Sequence, residues 1–104
     1  MGTRRRLVNK REHYVLEFNF RGAAYRAGFS FFLSGALAEI FLSTGKPNSE
    51  SDVAANDAAI LCSLALQHGV PLQTIRHGLL RSDNNDASGP LAHALDLIDA
   101  STYR

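Results

Sequence analysis

The stretch from Ser49 to His68 constrains the fold more than any other part of the chain. Asp52, Asn56, Ala59, Ser63 and Gln67 fall at steps of four, three, four and four, so they form one narrow polar stripe along a helix. Nearly everything else in the stretch is apolar: Val53, Ala54, Ala58, Ile60, Leu61, Cys62, Leu64, Ala65 and Leu66. A helix apolar over most of its circumference is buried on more than one side. The spacing therefore predicts a central rod that lies across a sheet and is partly covered by later helices. Ser49 or Ser51 is placed to cap its start, with Glu50 and Asp52 near its positive end. Gly69 ends it, and His68 sits where an imidazole can bond the last carbonyls.

The sheet is written before the rod. In residues 13–20, "HYVLEFNF", Tyr14, Leu16, Phe18 and Phe20 alternate with His13, Glu17 and Asn19, which is the period of a half-buried strand. "RGAA" reads as a turn. Tyr25, Ala27, Phe29, Phe31 and Leu33 then alternate with Arg26, Gly28, Ser30 and Phe32 in a second strand. Phe32 breaks the pattern and is expected on the outer face or at a subunit contact. Ser34-Gly35 supplies another turn, and "ALAEIFLS" a third strand. Connections this short imply antiparallel neighbours, hence a meander.

After Gly69, Pro71 opens a short helix with Leu72, Ile75 and Leu79 on one face. "RSDNNDASG", 81–89, is a loop by composition, and Gly89-Pro90 opens a last helix with Leu91, Ala94, Leu95 and Ile98 at helical spacing. Strands segregated from helices predict an α+β fold: a three-stranded antiparallel meander followed by three helices packed on one face, in two layers. The chain's 104 residues suffice for one domain. The expected division is a basic flexible arm over 1–12 and a single domain over 13–104.

Charge is uneven. Net charge is +1, yet Arg4, Arg5, Arg6, Lys10 and Arg11 cluster at the start and leave the remainder mildly acidic. Such an arm suits phosphate contacts with a nucleic acid, or it is a solvated terminus. No apolar run is long enough to span a bilayer, and no apolar stretch follows the basic start as in a secretory signal, so a cytoplasmic protein without membrane contact is expected. Cys62 is the sole cysteine, which excludes an internal disulfide and a cysteine-built zinc site within one chain. Mid-helix among Leu and Ile, it reads as a core residue with an unreactive thiol. His13, His68, His77 and His93 include no pair at metal-ligand spacing, so neither metal nor cofactor is expected.

Two features bear on a site. The run Thr44-Gly45-Lys46 ends a strand and leads into a helix, the outline of a phosphate loop. Pro47 follows Lys46, and Ile40 stands where a Walker loop needs its first glycine, so the loop is not of that type. A weaker anion site from Gly45, Lys46 and Ser49 stands against a plain strand-to-helix connection. The connection is favoured, because Glu50 and Asp52 already occupy the positive end of the helix. Asp57 lies off the polar stripe, near the line of Leu61 and Leu64. A carboxylate there needs a partner, and Arg76 or Arg81 is available; a structural Asp57–Arg76 ion pair is expected rather than catalysis.

From Ala38 to Leu80 the order "EIFL", then Gly45-Lys46 with Ser49 three residues on, then "SLALQHG" and "VPLQTIRH", is similar to the TSCPD domain. That domain resembles the C-terminal region of adenosylcobalamin-dependent (class II) ribonucleotide reductases, and it also occurs as small stand-alone bacterial proteins. The basic start, the aromatic strands and the close "GPLAHALDLI" resemble the stand-alone form. The cysteine-bearing motif behind the domain's name is missing, as are the reductase barrel and its radical-site cysteines. The resemblance thus implies an interaction or regulatory module connected to nucleotide metabolism, not an enzyme. Unpaired strand edges and an over-apolar helix predict a homodimer and a protein partner. Nucleic acid bound through the arginine arm is the alternative.

Overall fold

The computed structural model describes residues 12–101. Three strands, β1 (Tyr14–Phe20), β2 (Ala23–Phe31) and β3 (Leu37–Thr44), form one antiparallel sheet in that order. Three helices follow: α1 (Glu50–Gln67), α2 (Leu72–Gly78) and α3 (Pro90–Ala100). This is the expected two-layer α+β arrangement.

The first hairpin turns on two residues, not the four of "RGAA": Phe20 pairs with Ala23, and Arg21 and Gly22 carry φ of 50° and 81°. Two consecutive positive φ values give the turn whose twist matches the strands it joins, and glycine takes the second at no steric cost. Alternation then puts Tyr14, Leu16, Phe18 and Phe20 on the same face as Tyr25, Ala27 and Phe29. Cross-strand rings meet there, Phe18 on Tyr25 at 5.6 Å and Tyr14 on Phe29 at 5.7 Å between centroids. The helices cover that face; His93 of α3 lies 5.3 Å from the Phe18 ring and 5.2 Å from the Phe20 ring.

β3 is irregular. Ser30 pairs with Glu39 but Phe31 pairs with Leu37, leaving Ala38 as the extra residue of a bulge. In the turn between β2 and β3, where the Phe32 amide donates to Ala36 O at 2.8 Å, Phe32 is 9% exposed and Leu33 lies outside at 90%. Phe32 therefore belongs to the interior of this chain, contrary to the expectation of an outward or subunit-facing ring. On the opposite face Phe41 lies across its strand partner Gly28, and Ser30 donates to Glu39 at 2.8 Å in a buried pair.

Of the two candidate caps, Ser49 and Ser51, α1 uses Ser49. The Ser49 hydroxyl accepts from the Asp52 amide. At the other end Gly69, at φ 93°, lets its amide bond Leu66 O and the Val70 amide bond Ala65 O, a Schellman closure. The His68 imidazole Nδ1 bonds Leu64 O at 2.9 Å, the terminal role expected of it. α3 starts with Pro90 in its first turn and sends Leu91, Ala94, Leu95 and Ile98 into the core, where they meet Phe29, Ile40 and Leu42 of the sheet. Leu72, Ile75 and Leu79 close the core from the side of α2.

α2 and α3 are joined by charge. Arg76 donates to Asp96 and Asp99, both at 2.9 Å, and Arg81 to Asp96 at 2.7 Å. Arg81 also reaches Arg76 O and Asn85 O, tying down the 81–89 loop. The expected Asp57–Arg76 pair is thus not formed. Arg76 is taken by two acids of α3, while Asp57 stands exposed on α1.

Candidate interaction surface

The placement of α1 decides what the molecule offers to others. Its apolar circumference is not buried on more than one side, as its sequence had implied. The face turned to the sheet carries Ala55, Ala59, Cys62 and Leu66 together with three members of the polar stripe, Asp52, Ser63 and Gln67. These three reach the edge of β3 that has no strand beside it. The Ile40 amide donates to Ser63 Oγ and that hydroxyl donates back to Ile40 O, both at 2.9 Å. Gln67 Nε2 donates to Ala38 O at 3.2 Å, and the Thr44 amide to Asp52 Oδ1 at 2.9 Å. Side chains of α1 thus engage four backbone groups of this edge, Ala38 O, Ile40 N, Ile40 O and Thr44 N, as a fourth strand's backbone would.

Asp52 does a second thing. Its other oxygen accepts from the Asn48 amide at 3.0 Å, in a turn where Asn48 holds φ 63°. The Thr44 and Asn48 amides hold its carboxyl below the usual carboxylate range. The loop at Gly45, Lys46 and Ser49 thus encloses an anion of its own. The Ser49 hydroxyl is engaged too, accepting from the Asp52 amide and donating to Lys46 O at 2.8 Å. Two amide donors flanking this loop, those of Thr44 and Asn48, are thus engaged by a side chain of the same chain.

The other side of α1 is apolar and open. Val53 is 48% exposed, Ile60 53% and Leu61 67%, with Ala54 exposed and Leu64 half-buried among them. Asp57 lies in the middle of this face and His68 at its end. The apolar surface runs on into a groove of about 410 Å³ lined by Ala54 and Ala58 of α1, Leu79, Leu80 and the start of α3 at Pro90. Leu80, 81% exposed, stands at this groove. Contiguous exposed apolar surface of this kind marks a binding face more often than isolated exposed residues do.

The remaining candidates are quieter. Cys62 is buried, and burial pushes its thiol up to about 11. Among the described residues no three His, Cys, Asp or Glu side chains gather as a metal site requires, and no helix is long and apolar enough to cross a membrane. Arg4, Arg5, Arg6, Lys10 and Arg11 lie outside the described residues. No family model, curated protein or solved structure matches the chain.

The sequence marks α1 as too apolar for one small core, but not which of its faces stays open. The available signal was the make-up of the polar stripe. Ser63 and Gln67 are short or neutral groups, interleaved with Ala55, Ala59 and Cys62, which suits a backbone partner at close range rather than bulk water.

Proposed function

We propose that the chain is a non-catalytic interaction module that binds protein through the outward face of α1 and the adjoining groove. One observation carries this reading: α1 turns its polar stripe inward to β3 and its Val53–Ile60–Leu61 face outward. Leaving such side chains in water forgoes roughly 1.5–3 kcal/mol each on full burial, so the arrangement is explained when a partner covers them. The similarity to the TSCPD domain supports a role beside the machinery of nucleotide metabolism, in the manner of a regulatory C-terminal domain detached from its reductase. Affinity capture from native cell extract, with nuclease present, tests the reading. The expected outcome is a protein retained by the full chain and lost with Leu61→Asp, while far-UV circular dichroism is unchanged. Equal retention by both forms would count against it.

A second reading rests on the five basic residues among the first eleven. Bound to nucleic acid, they predict affinity that falls steeply with salt and vanishes when residues 1–11 are removed. Salt-independent binding, or none at low salt, removes it.

A further inference from the structure

The outward face of α1 has an order that identifies its occupant. Asp57, Leu61, Leu64 and His68 follow one another at steps of four, three and four, so they stand in one line on the open side of the helix. The line reads acid, leucine, leucine, imidazole. Read backwards it is its own complement. We infer that the partner is a second copy of this chain, docked with α1 antiparallel to its counterpart across a twofold axis. The inference rests on the reading of this face as a docking surface and names what docks there.

In that arrangement Asp57 faces the partner's His68, and His68 faces the partner's Asp57. Leu61 and Leu64 pack against the partner's Leu64 and Leu61 on either side of the axis. Both polar groups are free for the contact. Asp57 is exposed and makes no hydrogen bond or ion pair among the described residues. His68 donates Nδ1–H to Leu64 O, so the Nε2–H of its imidazolium form is the donor left for the neighbour's carboxylate. Asp57 also selects the direction: parallel docking would set two Asp57 carboxylates against each other, whereas antiparallel docking pairs each with an imidazole and opposes the two helix dipoles. A twofold contact needs such a self-complementary patch, and a single line of four residues supplies it.

Light scattering on the full chain at tens of micromolar is expected to give a dimer, and a monomer overturns the proposal and leaves the face to a different protein. Such a monomer would not disturb the docking reading itself, which the capture experiment tests separately. Asp57→Lys and His68→Glu are each expected to weaken the dimer by about tenfold or more, since each sets two like or unmatched charges in the contact. Mixed in equal amounts, the two variants are expected to recover a dimer of wild-type strength: the introduced lysine then meets the introduced glutamate, and the native Asp57 meets the native His68. Failure of the mixture to recover, or a dimer indifferent to either substitution, overturns the antiparallel register. A dimer that survives Leu61→Asp overturns the assignment to this face. All three positions are outside the core, so unchanged circular dichroism of each variant is the control. The milder Asp57→Asn serves if the lysine variant fails to fold.

Discussion

Ser63 shows how much one small side chain can decide. A single hydroxyl accepts from one backbone group of Ile40 and donates to the other, in a position where water is excluded. Ser63→Ala would leave a buried N–H and a buried C=O without partners. The net worth of a satisfied hydrogen bond is about 1 kcal/mol, but an orphaned buried group costs about 1–3 kcal/mol. A loss of about 2–3 kcal/mol is therefore expected, read as a lower urea midpoint at unchanged slope. Asp52 offers a different test at the same scale. Its carboxyl is held below the usual carboxylate range by the Thr44 and Asn48 amides, so it binds a proton less readily folded than unfolded. Its contribution to stability is complete above the unfolded-state value, about 3.9, and is lost as pH falls through the lower folded value. The stability gap between wild type and Asp52→Asn is expected to be wide at neutral pH and to close below about pH 4. A gap that stays constant with pH would show that the carboxylate charge is not what holds the loop.

Between elements, two devices of different kind join the parts. α1 meets β3 by hydrogen bonds from side chain to strand edge, while α2 meets α3 by the ion pairs of Arg76 and Arg81 with Asp96 and Asp99. Asp96 serves both guanidiniums, and Arg81, then Arg76, hold its carboxyl below the usual range. The four side chains are 12–28% exposed, so water tempers their attraction without cancelling it. Asp96→Ala is expected to cost about 1–2 kcal/mol. It should also speed amide exchange in residues 82–88, because Arg81 is the tie between that loop and α3. Exchange that quickens uniformly over the whole chain would point to general destabilisation instead.

For the molecule as a whole, a small domain has few ways to hide apolar surface, and this one leaves a helix face open. The dimer proposed through α1 would offset that imbalance and would make stability depend on protein concentration. The melting temperature is expected to rise with each tenfold increase in concentration for wild type and to stay flat for Leu61→Asp. A concentration-independent wild-type melt would argue for a folded monomer. The α1 face thus differs from the β3 edge, whose backbone groups at Ala38, Ile40 and Thr44 find partners within the same chain.

Local patterns alone determined the order of elements, their bounds to within a residue or two and the stop at Gly69, and narrowed the cap to Ser49 or Ser51, because each of these is set by local backbone preference. Periodicity also placed Phe29, Leu95 and Ile98 on the faces that form the core. Tertiary structure decided the orientation of α1, the bulge at Ala38, the burial of Phe32, and the choice of Asp96 and Asp99 over Asp57 as partners of Arg76. The reason is that a stripe's polarity fixes which groups lie together on a helix but not what they face. Water and an unpaired strand edge both offer donors and acceptors, and only the packed chain determines that Ser63 and Gln67 meet the second.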